Sequence, residues 1–160
     1  MKDHIVVTED QLIQCKNDIV THYFLNKINC FSLEYYKKLG IEIAELSVGS
    51  SREEVVLQRA YKTSKKEELN EIFSMLITQS QNKAPFVRAS ETTYINLDNL
   101  HKIKKTYDKN QEKVYTITFN DGLRIYSRDI SDELRTALIK RANPEGLSIE
   151  DKSGDDESQR

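Results

Sequence analysis

A chain of 160 residues, 38% hydrophobic and 31% charged, is long enough for one domain, although it is polar for a globular protein. Its net charge of −2 at pH 7 argues against a strongly basic nucleic-acid-binding protein, and its two cysteines argue against a secreted disulfide scaffold. Because the apolar residues recur in periodic segments, we expect a folded core rather than global disorder.

The charge is unevenly distributed along the chain. Residues 82–142 carry 12 basic and 8 acidic residues, whereas residues 143–160 carry 2 basic and 6 acidic residues. We expect a mainly helical part over 1–81 and a β-rich part with a terminal helix over 82–142, which together form one domain. A disordered acidic tail over 143–160 is expected to follow them.

The N-terminal segment has no long apolar stretch and is followed closely by the acidic residues Glu9 and Asp10, which argues against a signal peptide. No window approaches the roughly 18 apolar residues that indicate a membrane-spanning helix. We therefore expect a cytoplasmic protein without a membrane partner.

The first part of the chain shows helical periodicity. Thr8 followed by Gln11 forms a capping-box pattern, which is typical of a helix start. The apolar residues after it recur at the spacing of one broad helical face, which predicts a helix over about 8–29.

Further helices are predicted before residue 81. Ser32 and Gly40 suit the start and the end of a short second helix. Residues 41–48 suit a strand and a helix equally well. The apolar pattern over 52–79 predicts either one long helix or two helices. A capping-box pattern that begins at Ser64 favours a break near that residue.

The second part contains a β-hairpin that turns at Asn120-Asp121-Gly122, between arms over 114–119 and 123–127. We choose the register that pairs Phe119 with Leu123, because a slip of one residue would scatter the apolar side chains over both faces. The inward face then carries Tyr115, Ile117, Phe119, Leu123 and Ile125, and the outward face carries Thr116, Thr118, Arg124, Tyr126 and Arg128.

Helices in the first half and strands in the second predict an α+β fold. We expect N-terminal helices packed on a C-terminal antiparallel sheet of three or four strands, of which residues 93–97 form one. A closing helix is predicted over 131–142, capped by Ser131 or Asp129.

No motif predicts catalysis, a cofactor or a metal ion. Cys15, His22 and Cys30 lack the fourth ligand and the spacing that zinc needs. The glycine turn over 48–51 lacks the lysine and the glycine spacing of a phosphate-binding loop. The carboxylates lie in predicted helix caps and in the tail rather than in apolar surroundings. We therefore expect a protein that is not an enzyme.

The candidate binding residues are basic and aromatic. They are Arg124, Tyr126 and Arg128 on the outward hairpin face, with Lys102, Lys104 and Lys105 in a basic loop over 101–113. We expect a non-enzymatic protein-interaction module, a small adaptor or regulator that binds another protein, and a homo-oligomer is left open. The alternative is a nucleic-acid-binding regulator, because basic side chains bind phosphates and an aromatic ring stacks on a base.

The segments 95–103 and 114–122 resemble the opening strands of bacterial LytTR-type DNA-binding domains. That resemblance implies DNA binding. After these strands the LytTR domains continue with further strands and a basic segment, whereas this chain continues with a predicted helix and an acidic tail. We therefore do not assign the chain to that family.

Overall fold

The computed structural model describes residues 2–142, which form eleven β-strands and two α-helices. In chain order these are β1 (His4–Val7), β2 (Gln11–Lys16), β3 (Ile19–Phe24), β4 (Cys30–Lys38), β5 (Ile41–Ser50), β6 (Glu53–Ala60), α1 (Thr63–Lys83), β7 (Phe86–Arg88), β8 (Thr93–Asn96), β9 (Leu100–Tyr107), β10 (Lys113–Phe119), β11 (Arg124–Ser127) and α2 (Asp132–Ala142). The predicted α+β fold with N-terminal helices is wrong, because the described chain is mostly β and its helices follow strands. The predicted acidic tail over 143–160 lies outside the described residues.

The segment predicted as a helix over 8–29 forms strands β2 and β3, which form a sheet with β1. Asn17 and Asp18 close the β2–β3 hairpin with φ angles of 52° and 63°. Asparagine and aspartate tolerate this left-handed conformation, and two such residues in a row form the turn whose twist matches that of paired strands. The turn therefore brings the apolar residues on either side of it into cross-strand pairs rather than onto one helical face.

The second predicted helix, from Ser32 to Gly40, is also wrong, because this segment is strand β4 and the turn that follows it. Leu39 and Gly40 have φ angles of 53° and 77° and connect β4 to β5. Glycine adopts the same left-handed conformation after a helix and in a hairpin turn, so Gly40 alone does not distinguish the two structures. Residues 41–48, which suited a strand and a helix equally well in the sequence, belong to strand β5.

The helix predicted over 52–79 is divided into strand β6 and helix α1. Ser51 and Arg52 have φ angles of 52° and 75° and close the β5–β6 hairpin. Helix α1 begins at Thr63, close to the predicted break, but Ser64 lies inside the helix and does not cap it. The segment before the break is a strand.

The described strands form a central sheet in the order β6-β5-β4-β8-β7 and two three-stranded sheets, β1-β2-β3 and β11-β10-β9. The pairing of β4 with β8 joins the parts before and after residue 81 in one sheet. The strand predicted over 93–97 is present as β8, but it belongs to the central sheet. The connection predicted over 82–91 contains the short strand β7.

Two apolar cores lie on opposite faces of the central sheet. The first includes residues of the central sheet and of α1, among them Phe31, Leu33, Leu46, Val48, Leu69 and Leu76. The second core is formed by the other face of the central sheet, by β10, β11 and the turn between them, and by α2. Its residues include Cys30, Ile95, Ile117, Phe119, Leu123, Ile125 and Leu134. The second core therefore fixes the sheet β11-β10-β9 to the rest of the protein.

The predicted hairpin register is confirmed. The Phe119 amide donates to the Leu123 carbonyl at 2.9 Å, and Ile117 pairs with Ile125. Gly122 has a φ of 97°, which glycine adopts without strain. All five side chains predicted to face the core are buried.

The closing helix is confirmed as well. Helix α2 spans Asp132–Ala142, and the Ser131 hydroxyl accepts a hydrogen bond from the Leu134 amide at 3.0 Å. Ser131 is therefore the cap, and the fully buried Leu134 joins the helix to the second core.

Candidate nucleic-acid interface

The register of the sheet β11-β10-β9 places basic and aromatic residues in rows across its outward face. Lys102 on β9 and Arg124 on β11 both lie opposite Thr118 of β10. Lys104 and Tyr126 both lie opposite Thr116 in the next row. We name the surface formed by Lys102, Lys104, Thr116, Thr118, Arg124 and Tyr126 the basic face.

The basic face has no acidic side chain. Residues on a strand alternate between the two sides of a sheet, so the remaining outward positions among the residues paired in register are Thr106 and Val114. His101 lies at the register irregularity and is exposed. Lys102, Lys104 and Arg124 are exposed, and none of them forms an ion pair within residues 2–142. Two cations on β9 and one on β11, on either side of β10, therefore face the solvent without an acidic partner among these residues.

Tyr126 supplies the aromatic surface of the basic face. Tyr126 is 66% exposed and lies on the short edge strand β11, next to the buried Ile125. An exposed tyrosine beside unpaired cations provides a flat ring on which a nucleic-acid base can stack.

The structure separates the other two predicted site residues from this face. Lys105 lies opposite the buried Tyr115, so it occupies the other side of β9. Arg128 follows β11 and donates to the Asp108 carboxylate at 2.8 Å, with Glu112 at 3.9 Å. The basic segment predicted as a loop over 101–113 is mostly strand, because β9 extends to Tyr107.

The Arg128–Asp108 pair joins the loop between β9 and β10, which contains Asp108, to the segment that follows β11. The pKa of the Asp108 carboxyl is below its ordinary value, first because of the hydrogen bond from the Glu112 amide and then because of the hydrogen bond from Arg128. Asp108 thus accepts from both the loop backbone and Arg128. This arrangement neutralises Arg128 and stabilises the loop next to the basic face.

Asp121, at the tip of the hairpin, attaches the sheet to the rest of the protein. Its carboxylate accepts hydrogen bonds from Asn29 Nδ2 at 2.8 Å, the Leu123 amide at 2.9 Å and the Arg52 amide at 3.1 Å. Arg52 Nε also donates to the Asp121 carbonyl at 2.9 Å. The sequence indicated Asp121 only as a turn residue, because Asn29 and Arg52 are too distant from it in the chain for these contacts to be inferred.

Asp121 should make the stability of the protein depend on pH. Burial raises the pKa of its carboxyl, but the hydrogen bonds from Leu123, Asn29 and Arg52 outweigh burial, so the pKa lies below its ordinary value. A carboxyl with a depressed pKa in the folded state stabilises the protein above its unfolded pKa of about 3.9, and this contribution is lost as the pH falls through the folded pKa.

We expect Asp121→Asn to lower the free energy of unfolding by about 1 kcal/mol near neutral pH, since the site is largely solvated and charge-assisted hydrogen bonds are lost. The difference from the wild type should shrink as the pH falls below about 4. Urea denaturation across this pH range measures it. Glu67→Gln on the exposed surface of α1 is the control, and a constant difference at every pH would contradict the assigned role of Asp121.

Cys15, His22 and Cys30 are residues of the sequence whose types suit metal or thiol chemistry. Cys15 and Cys30 are free and buried, and His22 Nδ1 lies 2.7 Å from Gln11 Oε1. Burial raises the pKa of the Cys30 thiol, which disfavours the reactive thiolate. In the part of the chain that the structure describes, no three or more histidine, cysteine or acidic residues are placed to hold a metal ion.

The comparisons with known proteins leave the function to be argued from this geometry. No protein-family model matches the sequence, and no curated protein matches it either. Between residues 2 and 142 no helix is both long and apolar enough to cross a membrane.

Proposed function

We propose that this protein binds nucleic acid through the basic face. The observation that carries the proposal is the set of three exposed cations, Lys102, Lys104 and Arg124, in two adjacent rows, with no acidic residue at the outward positions paired in register on these three strands. Ammonium and guanidinium groups bind backbone phosphates, and such contacts are independent of base sequence.

The geometry suits an extended strand of phosphates. Lys102 and Lys104 are two residues apart on β9, which separates them by about 7 Å along the strand. Arg124 lies two strands away from Lys102, at roughly 10 Å across the sheet. Tyr126 lies in the same row as Lys104, so a base can stack on its ring while the lysine contacts a phosphate. This combination of phosphate contacts and stacking favours single-stranded nucleic acid.

Salt dependence tests the proposal. If three cations contact the phosphates of a single strand, the binding constant should fall as the salt concentration rises. A plot of the logarithm of the binding constant against the logarithm of the salt concentration should have a slope of about −2. Fluorescence anisotropy with a labelled oligonucleotide, single-stranded or duplex, at several salt concentrations measures the slope. An affinity that does not change with salt, or no binding even at low salt, would reject nucleic-acid binding.

Tyr126→Ala should weaken binding to a single-stranded oligonucleotide by about tenfold, because stacking of one base contributes about 1–3 kcal/mol. The salt slope should stay unchanged, since the tyrosine carries no charge. Tyr126→Phe keeps the ring and serves as the matched control with nearly wild-type affinity. Equal losses for both variants would show that the hydroxyl, rather than stacking, matters.

A protein-interaction module was the first prediction from the sequence, and the exposure of Tyr126 next to Arg124 favours it as a second candidate. Tyrosine and arginine are enriched at the centres of protein interfaces. Binding to a protein partner that buries these two residues should be much less sensitive to salt than binding to phosphates. Capture of a partner from nuclease-treated lysate, lost in Arg124→Ala/Tyr126→Ala, would support this function, and capture unaffected by the substitutions would reject the face as its site.

A further inference from the structure

A cleft of about 330 Å³ lies between the central sheet and strand β11, within the size range of small-ligand sites. Ser32 of β4 lies in register with Ser47 of β5 and with Thr93 of β8, and all three line the cleft. Ile125 and Tyr126 line it from β11. The central sheet therefore contributes a row of hydroxyl groups to the cleft, and β11 contributes an apolar and an aromatic side chain.

The cleft is acidic. Glu34, Glu45 and Glu54 line it, and Glu34 lies directly opposite Glu45 in the β4–β5 register. Glu45 accepts hydrogen bonds from Arg59 Nε at 2.7 Å and from the Tyr36 hydroxyl at 2.9 Å, so its charge is largely balanced.

The other two carboxylates are not balanced in this way. Glu34 and Glu54 form no ion pair with any residue in the range 2–142. Partial burial raises the pKa of the Glu54 carboxyl, and the neighbouring charge of Glu34 raises it further. Two acidic groups that repel each other at the edge of a cleft create a negative potential that a cation would relieve.

Ser32 gives independent evidence that the cleft accepts a ligand. Only 9% of its surface is exposed, and its hydroxyl forms no hydrogen bond with any group in the described part of the protein. Buried hydroxyls nearly always have a hydrogen-bond partner, because an unsatisfied one costs free energy. Ser32 lines the cleft, so a molecule inside the cleft can supply that partner.

We infer that this cleft binds an organic cation that consists of a short aliphatic chain ending in a guanidinium or ammonium group. The charged group lies between Glu34 and Glu54 and donates a hydrogen bond to the Ser32 hydroxyl. The aliphatic chain packs on Val56 and Ile125, which also line the cleft. The site is separate from the basic face, although Tyr126 borders both, and it does not depend on nucleic-acid binding.

A matched pair of probes tests the role of charge. Butylguanidinium and butylurea have the same shape, but only the first is charged. Titrations followed by the backbone amide signals of the folded protein should show butylguanidinium shifting Ser32, Thr93 and Ile125, with butylurea binding at least about tenfold more weakly. Equal binding of the two probes, or no shifts at these residues, would overturn the proposal.

Substitutions in the cleft locate the site. Glu34→Gln/Glu54→Gln should weaken butylguanidinium binding by about tenfold or more, whereas the control Glu67→Gln/Glu71→Gln on α1 should leave it unchanged. Ser32→Ala should reduce the increase in melting temperature caused by the probe while keeping the melting temperature of the free protein, since the hydroxyl has no partner there. A free protein destabilised by Ser32→Ala would show an internal partner and contradict the role assigned to this hydroxyl.

The same chemistry occurs in free alkylguanidines and in arginine side chains, and a third probe separates these sources. Nα-acetyl-arginine N-methylamide carries the guanidinium on a peptide backbone. If it binds as tightly as butylguanidinium, the cleft accepts the side chain of a peptide, and if it binds at least about tenfold more weakly the site is for a free small molecule. Failure of both probes would reject the site, without bearing on the basic face.

Discussion

Replacing Lys102, Lys104 and Arg124 together by glutamine is expected to lower the affinity for single-stranded nucleic acid by about 100-fold at 0.1 M salt. The size of the effect follows from the loss of three phosphate contacts, each of which contributes about 0.7 to the salt slope for a single strand. The magnitude of the salt slope should decrease from about 2 to near zero in this variant. Anisotropy titrations at several salt concentrations measure both quantities.

A matched control separates this effect from a general change in net charge. Lys37→Gln/Lys38→Gln/Lys83→Gln removes three exposed lysines outside the basic face and changes the net charge by the same amount. Its affinity should stay within about threefold of the wild type, because contacts with phosphates rather than total charge determine binding. Equal losses in the two triple variants would show that the basic face has no special role.

Gly49→Ala should destabilise the protein by about 3 kcal/mol, at the upper end of the usual cost of overpacking. A Cβ atom at this position of β5 would lie 2.5 Å from Cys30 Sγ and 2.7 Å from Leu123 Cδ2. Both neighbours are buried, so neither can move away without disturbing the second core. Urea denaturation measures the loss.

Two further variants test the cause of the Gly49 effect. Gly40→Ala is the control, because its added Cβ would meet no atom within 4 Å and only the φ of 77° makes it unfavourable, at a cost of about 1–2 kcal/mol. Cys30→Ala removes the sulfur from the contact, so the double variant should be less destabilised than the sum of the single changes. Additive losses would contradict a direct contact between Gly49 and Cys30.

The hairpin could be predicted from the sequence because several local signals agree. Asn120, Asp121 and Gly122 form a recognisable turn, and only one register buries the alternating apolar residues on a single face. The closing helix was predictable for the same reason, since Ser131 is a good cap and the segment after it has helical periodicity.

The N-terminal helix was predicted wrongly because the same local hydrogen bond occurs at helix starts and in turns. Thr8 Oγ1 does accept from the Gln11 amide, at 3.0 Å, as a capping-box residue would. In this protein, however, the bond stabilises the turn between β1 and β2. Threonine side chains make the same contact in turns and at helix starts, so the pattern does not decide between them. Asn17-Asp18 was the better signal, because it marks a two-residue hairpin turn.

The candidate site could be predicted only in part. Alternation along the strand places Arg124 and Tyr126 together on the outward face, as expected from the sequence. Their proximity to Lys102 and Lys104 depends on the pairing of β9 with β10, which includes an irregularity between Thr118 and Phe119. Such a register has no local signature, so the position of these lysines beside Arg124 and Tyr126 does not follow from the sequence. The separation of Lys105 from Lys104 does follow from strand alternation, and it was missed because the segment over 101–113 was predicted as a loop.

The most direct test of the basic face is to map the contact with nucleic acid residue by residue. NMR spectra of the protein titrated with a single-stranded oligonucleotide report which amide and ring signals change. We expect changes at Lys102, Lys104, Thr116, Thr118, Arg124 and the Tyr126 ring, with little change at Lys37, Lys38 and Lys83. Binding that shifts signals elsewhere while the basic face stays unaffected would contradict the proposed function.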